Sequence, residues 1–237
     1  VISHAVTKGL NPNASMRDSG VEWLGEVPEQ WQLIRFRHAC SHIFLGLTAK
    51  VDYVEEGGVP LVRLSNIQGG KLDISCARNI SQQQHASLTK KNRARRNDVL
   101  LGKSGAVIGT TAIVDTDVEF SIYESLFALR SQIISPAYLM HLLRSQSCHN
   151  QFGWSASVGM GIGHLNMADI LDVYVAIPPA DEQEIIVSIL NKKVDKFEEL
   201  TDKANCAINL MYERRTALIS AAVTGKIDVR NWQALHA

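Results

Sequence analysis

From residue 181 to residue 224 neither proline nor glycine interrupts the chain, and apolar side chains recur every seven residues: Leu190, Phe197, Ala204, Met211 and Leu218. A companion series, Val187, Val194, Thr201, Ile208, Arg215 and Ala222, is offset by three or four. Together they make an a/d seam sustained for about five heptads. Asp181 and Glu184 have the spacing of a capping box, and Gly225 stands where a C-terminal cap belongs. The stretch therefore predicts a single helix roughly 66 Å long at 1.5 Å per residue. That exceeds what a globule of this size encloses, so the stripe requires a second long helix as its mate.

The rest of the chain offers only the tail of such a mate. The opening VISHAVTKG echoes LISAAVTGK at 218–226: Ile2, Ser3, Ala5, Val6 and Thr7 align with Ile219, Ser220, Ala222, Val223 and Thr224 at an offset of 217. This predicts a repeat whose period is about the length of the chain. Residues 1–15 are then the end of a preceding helix with its linker, stopped by Gly9 and Asn11-Pro12-Asn13. The mate is either upstream sequence or a second copy of this chain.

Between these helical ends, residues 16–178 have mixed character. Runs at 61–67, 99–101, 106–114, 118–129 and 173–177 are short, apolar or alternating, and bounded by turn residues, so they predict strands. Gly69-Gly70 suits a hairpin, and Ser135-Pro136 opens a helix with Ser as N-cap and Pro at the first helical position. Pro178-Pro179 then breaks the chain before the long helix. The expected fold class is α+β: a globular mixed domain (16–178), a long helix (179–228) paired in an antiparallel coiled-coil-like spacer, and a short tail (229–237).

With 46% hydrophobic and 20% charged residues, the composition is that of an ordinary soluble domain. No apolar run approaches a membrane span and no leader precedes a cleavage site, so the expected location is the cytoplasm. Four scattered cysteines without a C-x-x-C pair predict reduced thiols. His38-x-Cys40-x-His42 lacks a second ligand pair and is read as a His/Cys surface rather than a metal site. The formal net charge is zero, but residues 33–144 carry 14 Lys/Arg against 9 Asp/Glu. The surplus peaks at Lys90, Lys91, Arg93, Arg95 and Arg96, a cluster suited to a phosphate backbone.

Motifs for catalysis are weak. Gly159-Met160-Gly161-Ile162-Gly163 hints at a nucleotide or S-adenosylmethionine loop, but no clear strand leads into it and no acidic ribose ligand ends a following strand. A stand-alone S-adenosylmethionine-dependent DNA methyltransferase fragment is thus one alternative. A coiled-coil interaction protein with no DNA role is another. No Walker loop and no nuclease-like carboxylate–lysine pattern is present, and the expectation is a non-catalytic chain that holds no cofactor or metal of its own.

Several segments carry a family likeness: MRDSGVEWLGEVPEQW (16–31) followed by LIRFRH, VPLVRLSNIQGGKLDI (59–74), NDVLLGKSGAVIGTTAIV (97–114), SPAYLMHLLRSQ (135–146), GHLNMADILDVYVAIPPADEQEII (163–186) and ERRTALISAAVTGKIDVR (213–230). In this order they resemble one half of the DNA-specificity (S) subunit of type I restriction–modification enzymes: one target recognition domain and its conserved helix. Two departures stand out. Arg96-Asn97-Asp98 replaces the family's Lys/Arg-x-Gly-Asp, and Asn tolerates the same left-handed turn. SASVGMGIGHLN replaces a lysine-bearing stretch.

The resemblance implies sequence-specific recognition of half of a bipartite DNA site. Its implied partners are double-stranded DNA, methyltransferase (M) subunits carrying S-adenosylmethionine, a restriction (R) subunit, and a second half-subunit or copy joined through the helix. Lys50, Lys71, Lys90, Lys91, Arg93, Arg95 and Arg96 are then candidate phosphate contacts. Lys103-Ser104-Gly105 allows close backbone approach, and Asn66, Gln68, Ser155, Ser157 and His164 are candidates for base edges. The outer helix face (Lys192, Lys193, Glu198, Glu199, Asp202, Lys203) and the segment with Trp23 and Trp31 are candidate docking surfaces.

Overall fold

The runs VLL (99–101) and LFAL (126–129) are apolar without alternation, as strands covered on both faces should be. A computed structural model, describing residues 1–48, 50–103, 109–152 and 165–228, makes them the two inner strands of a four-stranded antiparallel sheet. In chain order the elements are α1 (Ile2–Lys8), β1 (Met16–Asp18), β2 (Glu26–Pro28), β3 (Gln32–Arg35), α2 (Phe36–Ala39), β4 (Cys40–Leu45), β5 (Tyr53–Val54), β6 (Val59–Val62), β7 (Ile67–Gln68), β8 (Lys71–Leu72) and β9 (Arg78–Ile80). They continue as α3 (Gln82–Thr89), β10 (Val99–Gly102), β11 (Thr111–Ile113), β12 (Ser121–Ile122), β13 (Leu126–Ser131), α4 (Pro136–Leu143), α5 (Gln146–Gln151), α6 (Met167–Asp172), β14 (Tyr174–Ile177) and α7 (Ala180–Val223). The fold class is α+β, a sheet-rich domain followed by a long helix. No helix among the described residues is long and apolar enough to cross a membrane.

The central sheet has the order β11-β10-β13-β4 and separates two cores. Alternate residues of its inner strands serve opposite faces. Val99, Leu101, Phe127 and Leu129 enter the larger core with Trp31, Tyr138 and Ile170. Leu100, Leu126 and Ala128 enter the smaller one with Phe44, Val62, Phe120 and Ile122. A second four-stranded sheet, β12-β6-β9-β5, lies on the smaller-core side, with β12 and β6 parallel. The chain thus turns between sheets within the single apolar run 118–129: Leu126 N–H donates to Tyr123 O at 3.0 Å, closing a turn between β12 and β13.

The sequence expectation of one strand over 61–67 is corrected similarly. Asn66 is buried, its Oδ1 accepts the Arg63 N–H at 2.9 Å, and its own N–H returns to Arg63 O at 3.0 Å. That reciprocal pair winds Leu64–Asn66 into a 3-10 turn. Within 106–114, the strand occupies Thr111–Ile113, and 106–108 lie outside the described residues. The Gly69-Gly70 hairpin joins β7 and β8 as expected, both glycines having positive φ. Ser135 caps α4 with Pro136 in the first turn, its Oγ accepting Tyr138 N–H at 3.3 Å.

By internal contacts the chain forms two units, Val1–Leu190 and Asn191–Ala237. In the first, α1 is part of the larger core rather than a loose remnant: Ala5 and Val6 are buried, and Tyr138 Oη donates to Val6 O at 3.2 Å. The first turns of α7 belong to the same unit. The α7 helix starts at Ala180, with Gln183 N–H donating to Pro179 O, so Asp181 lies inside the first turn and not at the cap. The Pro179 carbonyl thus opens the helix ladder. Buried Gln183 then satisfies both ends of its amide, accepting from Ser135 N–H and donating to Ile133 O and Pro178 O.

Ile186 and Leu190 are buried in the larger core and Val187 packs against it. Two residues expected in the pairing seam, Val187 and Leu190, therefore serve their own domain. Trp31, expected at a docking surface, is 1% exposed and donates its Nε1 to Glu182 at 2.9 Å; its large apolar ring is worth more inside. In the second unit, Phe197, Ile208, Met211 and Leu218 are each about half exposed or more. The helix closes in a Schellman turn: Gly225 (φ 72°) donates to Ala222 O and Lys226 N–H to Ala221 O.

The ion pair between Asp98 and Arg130 joins the turn before β10 to the end of β13. The Asp98 side chain is 2% exposed and receives both Arg130 Nε (2.6 Å) and Nη2 (2.7 Å), plus Arg95 N–H at 2.9 Å. Removing the acid strands a guanidinium that is only about a third exposed. Asp98→Ala should lower unfolding free energy by about 2–3 kcal/mol, less than the roughly 3–5 kcal/mol of fully buried pairs because Arg130 keeps some contact with water. Urea titration of the variant checks this.

Candidate nucleic-acid interface

The basic run 90–96 follows α3, whose N-terminus is capped by Ser81 Oγ accepting Gln84 N–H at 3.2 Å. Gln84 also holds the segment containing Lys50: its Nε2 donates to Lys50 O at 2.8 Å and its Oε1 accepts Asp52 N–H at 3.0 Å. The Lys50 backbone is thus held beside the first turn of α3, and Lys90 follows the helix's last residue. Both are exposed, as are Lys91 and Arg95. Ala94 is buried in the smaller core and pins the middle of the run.

Not every cation of the run is uncompensated. Arg96 makes two hydrogen bonds to Asp117, at 2.8 and 2.7 Å, and Arg93 pairs with Glu119. These contacts hold both carboxyl groups below the usual carboxylate range, with the arginine hydrogen bonds the leading cause, and they raise the Arg96 guanidinium. Residues 93–96 and 116–120 line one shallow groove. Exposed pairs of this sort contribute little and weaken with salt. The groove is nonetheless less positive than five cations in seven residues suggest.

Asn97 has φ 72°, the left-handed conformation that the family resemblance implied for the glycine position it occupies. It donates to Val114 O at 2.8 Å, and Val114 N–H donates to Asp98 O at 2.9 Å. The turn thus ties the start of β10 to the residue that follows β11.

The remaining candidates divide. Gln68 and Lys71 are exposed on the β7–β8 hairpin, beneath which Arg144 donates to Thr111 Oγ1 at 2.7 Å and Thr111 O at 3.1 Å. Asn66, expected at a base edge, is spent inside its turn and does not present its amide to the surface. Lys103 is half-buried, and its backbone bridges Ser125 O and Leu165 N–H. Ser104, Gly105, Ser155, Ser157, His164 and the glycine loop 159–163 lie outside the described residues. Sequence reasoning passed over Tyr53, Arg63, Arg78 and Tyr123, which meet on the second sheet. The pairs that meet are 10, 25 and 60 residues apart and carry no linear motif; strand alternation is the only signal that could group them.

These features define a sheet-rich α+β domain with cations at its turns, continuing into a long helix. The chain belongs to the family described as the type I restriction modification DNA specificity domain, whose model matches residues 47–210. It is 27% identical over 206 residues to a putative type I restriction enzyme MjaX specificity subunit of Methanocaldococcus jannaschii, covering 85% of this chain and 47% of the relative. With the EcoKI specificity subunit of Escherichia coli it shares 25% identity, covering 90% and 47%. The chain spans about half the length of these curated relatives. Among solved structures, one of a type I R-M system described for complex assembly and conformational transition has a TM-score of 0.66 at 19% identity, covering 90% of this chain and 48% of that one. The HsdS subunit from Thermoanaerobacter tengcongensis gives 0.57 at 19% identity, covering 86% and 43%. These likenesses share the fold.

Because Asn97 sits in the left-handed region, Asn97→Gly should leave stability nearly unchanged. Asn97→Val should cost about 1–2 kcal/mol, since a branched Cβ meets the preceding carbonyl. Thermal unfolding of the two variants side by side is the check.

Proposed function

We propose that this chain is the DNA-reading part of a type I restriction–modification system and performs no chemistry itself. Membership of the specificity-domain family over residues 47–210 carries this reading. One recognition domain, about 16–178, reads one half of a split DNA site. The helix of 179–228 pairs with an equivalent helix, from a second half-subunit or a second copy, and sets the distance to another recognition domain. Since the duplex repeats about every 34–36 Å, a rigid spacer permits only certain gaps between half-sites. Methyltransferase subunits supply S-adenosylmethionine and the base-flipping pocket, and a restriction subunit joins for cleavage. The assembly works in the cytoplasm.

Within the domain, Lys50, Lys71, Lys90, Lys91 and Arg95 are assigned to phosphates, being long cations at turns without a carboxylate partner among the described residues. Arg93 and Arg96 join them by exchanging Glu119 and Asp117 for phosphate. Gln68 and Lys103, with Ser104, Gly105, Ser155, Ser157 and His164, are assigned to the groove side. Phe197, Thr201, Ala204, Ile208, Met211 and Leu218, together with Val194, form the pairing seam. Burying one large apolar side chain is worth roughly 1.5–3 kcal/mol, so the uncovered seam favours a mate strongly.

In the assembled complex, Lys90→Gln/Lys91→Gln/Arg95→Gln should weaken duplex binding for all sequences alike. The slope of log affinity against log salt should fall by about 0.9 per lost contact. Parent-like affinity and slope would remove these residues from the phosphate set. For the seam, Phe197→Glu/Met211→Glu should leave domain unfolding unchanged but abolish helix pairing, read by sedimentation and by loss of methylation at the bipartite site.

A further inference from the structure

Four side chains from separate places in the sequence stack on one face of the sheet β12-β6-β9-β5. Tyr53 lies opposite Ile80, and Leu61 opposite Arg78; Ser121 is beside Leu61. With a period of two, Tyr53, Arg78, Arg63 and Tyr123 fall on the same face. The Arg78 guanidinium lies 3.6 Å from the Tyr53 ring centroid, and that of Arg63 lies 5.3 Å from Tyr53 and 4.4 Å from Tyr123. Arg63 Nη2 also donates to the Tyr53 hydroxyl. The order is Arg78, Tyr53, Arg63, Tyr123.

This array differs from the acid-paired arginines of the domain. Arg35, Arg37, Arg93, Arg96 and Arg130 each meet a carboxylate. Among the described residues no ion pair joins Arg63 or Arg78 to an acid, and the buried Arg63 Nε has no hydrogen-bond partner. Two like charges therefore flank one phenol ring. The ring attracts both, but it cannot cancel their mutual repulsion; an anion can. Arg78 is exposed and the other three side chains are partly exposed, so an external anion can reach them. The array also adjoins a candidate contact: the turn after Tyr123 places Ser125, whose Oγ accepts Leu64 N–H at 3.3 Å and whose carbonyl accepts Lys103 N–H at 2.8 Å.

We propose that this tyrosine–arginine ladder is a contact for duplex DNA, an inference that rests on the DNA-reading function above. The rings hold both guanidinium groups in place: Arg63, with Nη2 given to the Tyr53 hydroxyl and Nε buried, adds its charge, while exposed Arg78 keeps its N–H edges for a paired-acceptor edge. On a duplex, phosphate oxygens and the O6/N7 edge of guanine both present one. Pre-orientation by the rings lowers the ordering cost of either contact.

The test uses Arg78→Gln, Arg63→Gln and Tyr53→Leu in the full-length polypeptide assembled with its methyltransferase partner. Affinities are measured across a salt series for a duplex carrying the methylation-mapped target and for one lacking it. Arg35→Gln, which removes an acid-paired arginine, is the control, and thermal unfolding verifies folding. Arg78→Gln should weaken target binding about tenfold, with Tyr53→Leu weakening it through loss of the stack although both charges remain. Loss on both duplexes with a shallower salt slope identifies phosphate. Loss on the target alone with the slope retained identifies guanine. Parent-like binding by the Arg63→Gln/Arg78→Gln double variant overturns the ladder while leaving the DNA-reading function intact. If the parent assembly itself binds no duplex, that function fails first and the ladder with it.

Discussion

An apolar stripe on a helix has to be covered, and α7 meets that requirement in two ways along its 44 residues. Its first turns cover the stripe themselves: Ile186 and Leu190 enter the larger core, while Gln183 ties the helix start to β13's exit and to Pro178. From Phe197 onward the stripe remains in solvent. The same heptad pattern thus serves two physical roles, and the change falls near Leu190, where the chain also divides into its two units.

In the globular unit the dominant device is a sheet buried on both sides. Strands β10 and β13 feed alternate residues to two cores, which leaves no polar face for them to display. Polar chemistry is consequently displaced to the strand ends. The turn at Asn97-Asp98 shows this: Asp98 is drawn inward by Arg130, Asn97 adopts positive φ, and the basic run is held outside. Carboxylates on 117 and 119 then moderate part of that charge. A charge count along the chain overstates the local potential because it assigns no partners.

Periodic and punctuated features were legible from the sequence. The long helix, its Gly225 stop, the Ser135-Pro136 start and the glycine hairpin all follow from local rules that act over a few residues, whereas the left-handed Asn97 was implied by the family resemblance. Less legible were the breaks within apolar runs. Residues 118–129 contain no proline or glycine, yet they supply two strands to two different sheets. Asn66 looked like a surface amide until its turn closed upon it. Val187, Leu190 and Trp31 looked like interface residues because hydrophobic pattern does not say which apolar partner is nearest.

By itself, then, the amino-acid order determined the α+β class, the helix and its seam, and the kinship with DNA-specificity subunits, since periodicity, caps and motif order are properties of neighbouring residues. Tertiary structure alone decided where the seam leaves the core, which cations meet carboxylates, and that Tyr53, Arg63, Arg78 and Tyr123 stack together. Those outcomes depend on contacts between residues tens of positions apart, whose geometry is set by strand register and sheet order and is not written in any local spacing.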